Sequence, residues 1–195
     1  MAIRFVLLLL LPLLAACHRT VFESPPSANP GCDPELAGHW ISIGDNRGED
    51  GEFEARIEPD CAMRVTEHRA EGPRHAGPTQ LSTANVGGQR YIWFDAAWAH
   101  RSFEIETTPL DVEGDIYLYA YSLQRGVLRL AAPPHRALAH RVLDRDVPGS
   151  VQMHDDDLVV RVSGDVEGVR KTLREYRLFR FGDDSLRFRR AEDPR

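Results

Sequence analysis

From Phe53 onward the chain alternates apolar and polar residues with a period of two, and alternation of that kind folds as half-buried antiparallel sheet. Phe53, Ala55 and Ile57 alternate with Glu54, Arg56 and Glu58, and after a turn at Pro59-Asp60 the pattern resumes with Cys61, Met63 and Val65. A second hairpin starts near Leu81, reverses at Gly87-Gly88 and returns through Tyr91-Ile92-Trp93-Phe94. Its two glycines supply the positive φ values of a tight reversal. A third pairs residues 116–122 with 127–130, and a fourth joins 151–153 to 158–162 through His154-Asp155-Asp156-Asp157. One segment changes period. Val166, Val169, Leu173 and Tyr176 recur at helical spacing behind the N-cap candidate Asp165. Residues 138–143 read as an additional helical turn, and 178–181 with 186–188 as a short closing hairpin. The expected fold is mainly β, an antiparallel barrel or sandwich with one C-terminal helix.

The amino terminus has a different character. Arg4 precedes an apolar run from Phe5 to Leu13, and small residues follow, which is the layout of an export signal. The run ends Leu14-Ala15-Ala16-Cys17. This resembles the lipobox of bacterial lipoproteins, and the resemblance implies cleavage before Cys17 and acylation of Cys17. Two or three acyl chains give lasting attachment where one gives only marginal binding. No Asp follows Cys17, and in that family this implies sorting to the outer membrane, with the domain on its periplasmic face. The expected organisation is a signal peptide over 1–16, a lipid-anchored flexible tether over 17–33 containing Ser24-Pro25-Pro26-Ser27, and one β-rich domain over 34–195.

Two further cysteines, Cys32 and Cys61, are expected to pair in an oxidising compartment. Removal of residues 1–16 takes away Arg4 and no acid, so the formal charge moves from −6 to −7. That balance does not suit nucleic acid, whose phosphates demand clustered cations.

The folded part opens with Gly38-His39-Trp40. This Gly-x-Trp is similar to the start of lipocalins and related small barrels. The resemblance implies a Trp40 that plugs one end of a barrel, a cation from the last strand over its ring, with Arg187 or Arg189 as candidates, and a ligand-binding interior. A strand face carrying Tyr117, Tyr119 and Tyr121, with Trp93, Phe94 and Trp98 upstream, can line a ligand cavity or a protein contact, or simply fill the core.

Little else points to chemistry. His135 and His140 lack the His-Glu-x-x-His spacing of a zinc helix, Ser150 has no nucleophile elbow, and His154 with its three aspartates reads as a solvated turn. Arg170, Arg174 and Arg177 read as a solvated helix face, with lipid headgroups or an acidic partner as the functional alternative. The expectation is therefore a non-enzymatic, cofactor-free envelope lipoprotein that binds a small apolar ligand or an envelope protein. The alternative is an inhibitor or immunity lipoprotein directed at a cell-wall hydrolase or toxin. A hydrolase would need titratable groups gathered in a cleft, and scattering of His100, His135, His140 and His154 would exclude it.

Overall fold

The computed structural model describes residues 18–43, 52–154 and 157–191. The lipobox, Cys17 included, lies outside them, as do Asp155 and Asp156. The protein is mainly β. Its strands are β1 (Arg19–Phe22), β2 (Gly38–Ser42), β3 (Glu52–Ile57), β4 (Ala62–Arg69), β5 (Gly72–Gln80), β6 (Ser82–Val86), β7 (Gln89–Asp95), β8 (Ile116–Gln124), β9 (Val127–Ala131), β10 (Gly149–His154), β11 (Asp157–Val162) and β12 (Leu186–Arg190). Three helices join them: α1 (Ala96–Phe103), α2 (His135–Leu143) and α3 (Val166–Tyr176).

The four hairpins read from alternation are present as β3–β4, β6–β7, β8–β9 and β10–β11. Gly87 and Gly88 have φ of 61° and 84° at their reversal. Neighbouring strands follow the chain from β2 to β5 and from β6 to β9, and β12 joins β9 back to β2. The wall is an open barrel, because the ladder is interrupted where β5 passes through Leu81 into β6. There the Leu81 N–H donates to the Cys61 carbonyl at 2.9 Å, and a bridge between Gly31 and Thr83 covers the seam.

β8 divides the molecule into two cores. Tyr117 and Tyr121 belong to the barrel interior, with Tyr119 packed against it, whereas Ile116, Leu118 and Ala120 face a second core made with α2, α3, β1 and β11. α3 forms as the sequence pattern requires. Asp165 caps it by accepting from the Gly168 N–H at 2.9 Å, and Val169 and Leu173 are buried. α2 buries Leu138, Ala139 and Val142.

Several expectations are corrected. The flexible tether over 17–33 is not free in its described part. Residues 19–22 form β1, buried throughout and parallel to β11, with Arg19 opposite Val159 and Phe22 opposite Val162. A strand hidden on both faces shows no alternation, so nothing local marks it. The closing hairpin is also absent. Leu178 and Phe179 are buried in the second core, and β12 pairs with β9 and β2 instead. β5 was hidden by Gly72, Pro73, Gly77 and Pro78. The register of β4 and β5 shifts between Met63 and Val65, and that irregularity accommodates the Gly77-Pro78 pair at the wall's interrupted edge.

Candidate functional site

At one end of the barrel Trp40 is fully buried, and its indole N–H donates to the Leu36 carbonyl at 2.7 Å. The cation above its ring is Arg190, at 4.6 Å, and not Arg187 or Arg189. Arg190 faces inward because β12 pairs it with Trp40 on β2. Its guanidinium also donates to the Ala37 and Glu35 carbonyls at 2.6 and 2.7 Å. Gly38 makes room for this: a Cβ there would lie 2.7 Å from the guanidinium, and its φ is +141°. The Cys32–Cys61 disulfide fastens the same end, with Cα atoms 5.7 Å apart. Tyr121 donates to Asp33 at 2.6 Å, and burial pushes its hydroxyl pKa up.

The opposite end is covered by α1. Asp95 caps this helix by accepting from the Trp98 N–H at 2.5 Å. Trp98 packs edge-on against Phe94 at 5.4 Å and donates to the Gly77 carbonyl, while Phe103 reaches Phe53 on β3 at 6.3 Å. α1 thus touches β3, β5, β7 and β8 and spans that mouth.

Between the two plugs Phe94, Tyr119, Leu130, Phe188, Ala55 and Val65 pack around the interior and are only partly buried. Tyr119 lies deep enough that burial raises its hydroxyl pKa, yet part of its surface stays open to water. Phe94 stacks on it at 6.0 Å. No hydrogen bond reaches the Tyr119 hydroxyl among the described residues. Tyr119 thus packs against the same core as Tyr117 and Tyr121 and keeps part of its surface exposed. Tyr117, Tyr119, Tyr121, Trp40 and Trp98 therefore meet in or around one interior. Trp93 does not. It pairs with Leu118 and lies in the second core, so its place among the candidate binding residues is corrected; the residues of a strand alternate between faces, and Phe94 took the inner one.

A second constellation, absent from the sequence reading, lies beside α1. His100 Nε2 is 2.8 Å from the Tyr117 hydroxyl and 3.7 Å from Asp111 Oδ1. Arg19 and the Thr108 N–H both donate to Asp111 Oδ2, at 2.7 and 2.6 Å. Burial lowers the His100 pKa, which Asp111 opposes, and the ring is held neutral near pH 7. Burial pushes the Asp111 carboxyl up, but the Thr108 N–H and Arg19 outweigh this and hold it below its ordinary value. Of these groups His100 and Asp111 line a cleft of about 420 Å³, together with Asp95, Arg101, Val112 and Glu113. Asp111 Oδ1 is a buried acceptor with no hydrogen-bond donor among the described residues. Asp111 and Arg19 stand far apart in sequence, and no spacing rule could have joined them.

The other histidines do not gather there. His135 Nδ1 is 2.8 Å from the Thr20 hydroxyl, His154 faces Glu106 at 3.3 Å, and His140 is exposed. Arg170 pairs with Glu167, and a groove of about 600 Å³ along α3 is lined by charges of both signs, among them Lys171, Arg174 and Glu175. Among the described residues no cluster of three or more His, Cys, Asp or Glu is placed to hold a metal ion, and no helix is long and apolar enough to cross a membrane. Comparison with protein families, with characterised proteins and with solved structures found no match to this chain.

Proposed function

We propose that the protein is a lipoprotein of the bacterial envelope, anchored through Cys17 at the periplasmic face of the outer membrane, whose β domain binds a small, mainly apolar molecule inside the barrel and performs no chemistry of its own. The anchor rests on Leu14-Ala15-Ala16-Cys17 behind an apolar run. The Cys32–Cys61 disulfide suits an oxidising compartment. The single observation that supports binding is Tyr119: a polar-tipped ring at the centre of a barrel plugged at both ends, with its hydroxyl unpartnered among the described residues and its surface still reached by water.

The anchor is tested by the mass of the N-terminal peptide of the exported protein, which should carry acyl chains on Cys17. A Cys17→Ser variant should move to the soluble fraction. Binding is tested by native mass spectrometry of the mature domain purified from periplasm, with a bound small molecule as the expected result. Tyr119→Phe should weaken that complex by about 0.5–1.5 kcal/mol, the net worth of one hydrogen bond. Recovery of a wall-degrading hydrolase in place of a small molecule would transfer the assignment to the inhibitor or immunity reading.

A further inference from the structure

We propose that the domain lies directly on the leaflet that holds its acyl chains, touching it with the end that carries His18, Val112 and Met153. The inference rests on the reading of Cys17 as the lipid-bearing residue. A tethered domain would roam over the membrane, but here the tether is missing. β1 begins at Arg19, so only two peptide links separate its first residue from Cys17, and extended chain spans at most about 7 Å over that length. Headgroups occupy a layer of comparable depth.

Arg19 cannot move outward to lengthen the connection. Its side chain is 8% exposed and bound to Asp111, and its backbone pairs with Val159. His18 is held by the Arg136 side chain, which donates to its ring at 3.1 Å. The anchor therefore emerges at a fixed place on the surface, and register says what surrounds it. Val159 lies opposite Gln152, and the next row outward pairs Leu158 with Met153. Met153 thus shares the row of His18, about 10 Å away across two strand spacings. Met153 is 59% exposed, and Val112, next to the Asp111 that binds Arg19, is 48% exposed. Among the described residues this end also exposes Arg136, Glu106 and Glu113, so the contact stays at headgroup level. A zwitterionic surface suits that balance better than an anionic one. Val112 and Glu113 also form part of the rim of the α1 cleft, which places its mouth beside the leaflet.

The test uses the lipidated full chain in vesicles of phosphatidylethanolamine and phosphatidylcholine doped with a headgroup-nitroxide lipid. Two variants each add one tryptophan at an exposed site. Met153→Trp reports the proposed contact, and Leu143→Trp reports the distant end, because Val142 packs beside Gly149, which pairs with Val162 at the far end of β11. The expected result is several-fold stronger quenching of the added emission in Met153→Trp than in Leu143→Trp. A long Gly-Ser insertion between Cys17 and His18 should erase that difference. Equal quenching of the two variants in protein that is acylated and vesicle-bound would overturn the contact while leaving the anchor intact. An unmodified Cys17 in the same preparation would overturn both.

Discussion

The two ends of the barrel are closed by different means. At the Trp40 end closure is covalent and electrostatic: a disulfide, a fully buried indole, and an arginine bound at once to the ring and to two carbonyls. At the α1 end it is a short helix laid across the mouth by aromatic contacts, with the Tyr117–His100–Asp111–Arg19 chain beside it. A helix of eight residues has no independent stability in water and persists only through packing. The first end is built to stay shut. The second can open at far lower cost, and it is the end where ionisable groups meet a cleft.

The sharpest way to break this contrast is Trp40→Ala. Loss of a fully buried indole beneath Arg190 should cost about 3–5 kcal/mol, read as a lower urea midpoint with an unchanged slope. Opening the disulfide with a Cys32→Ser, Cys61→Ser pair should cost about 3.6 kcal/mol on a loop-entropy basis for a separation of 29 residues, checked by the same titration. If either change proved neutral, the Trp40 end would not be the firm one.

A third measurement follows stability against pH. Burial lowers the His135 pKa from 6.5 to about 4, so the unfolded chain takes up a proton that the folded chain resists. That contribution is complete above pH 6.5 and is lost as pH falls from 6.5 towards about 4, on the order of 3 kcal/mol in all. His100 acts in the same sense, and the contribution of Asp111, complete above its ordinary carboxylate value, is lost only as pH falls below that value. A His135→Gln variant should flatten the slope between pH 6.5 and about 4; an unchanged slope would remove His135 as its source.

Smaller effects separate the ends further. Gly38→Ala must adopt an unfavourable φ and crowd Arg190, at about 1–3 kcal/mol. Asp95→Ala removes the α1 cap, about 1 kcal/mol. Hydrogen exchange should then quicken across residues 96–103 while β2 and β12 stay protected. Equal loosening of both ends would show that α1 and the barrel unfold as one unit.

The residues that were legible in the sequence are those whose partners are near. Each of the four hairpins β3–β4, β6–β7, β8–β9 and β10–β11 joins neighbours in the chain, α3 carries its own cap and stripe, and alternation put Tyr117, Tyr119 and Tyr121 on one face. The pairing of Cys32 with Cys61 was expected because Cys17 was set aside as the lipid-bearing residue, which left two cysteines to join. Arg190 was missed by a single position, since which face of β12 turns inward depends on its register with β2 and β9. α1 was passed over although Asp95 ahead of an alanine-rich run is a recognisable cap, because the preceding strand pattern ran into it.

The sequence by itself determined four hairpins and the C-terminal helix, since alternation and capping are local properties written at periods of two and 3.6. Only the tertiary structure decided that residues 19–22 are buried wall rather than tether, and that Arg19, His100, Asp111 and Tyr117 meet beside α1. Those arrangements come from pairing between segments far apart in the chain, where the free energy lies in desolvation and packing that no single segment records.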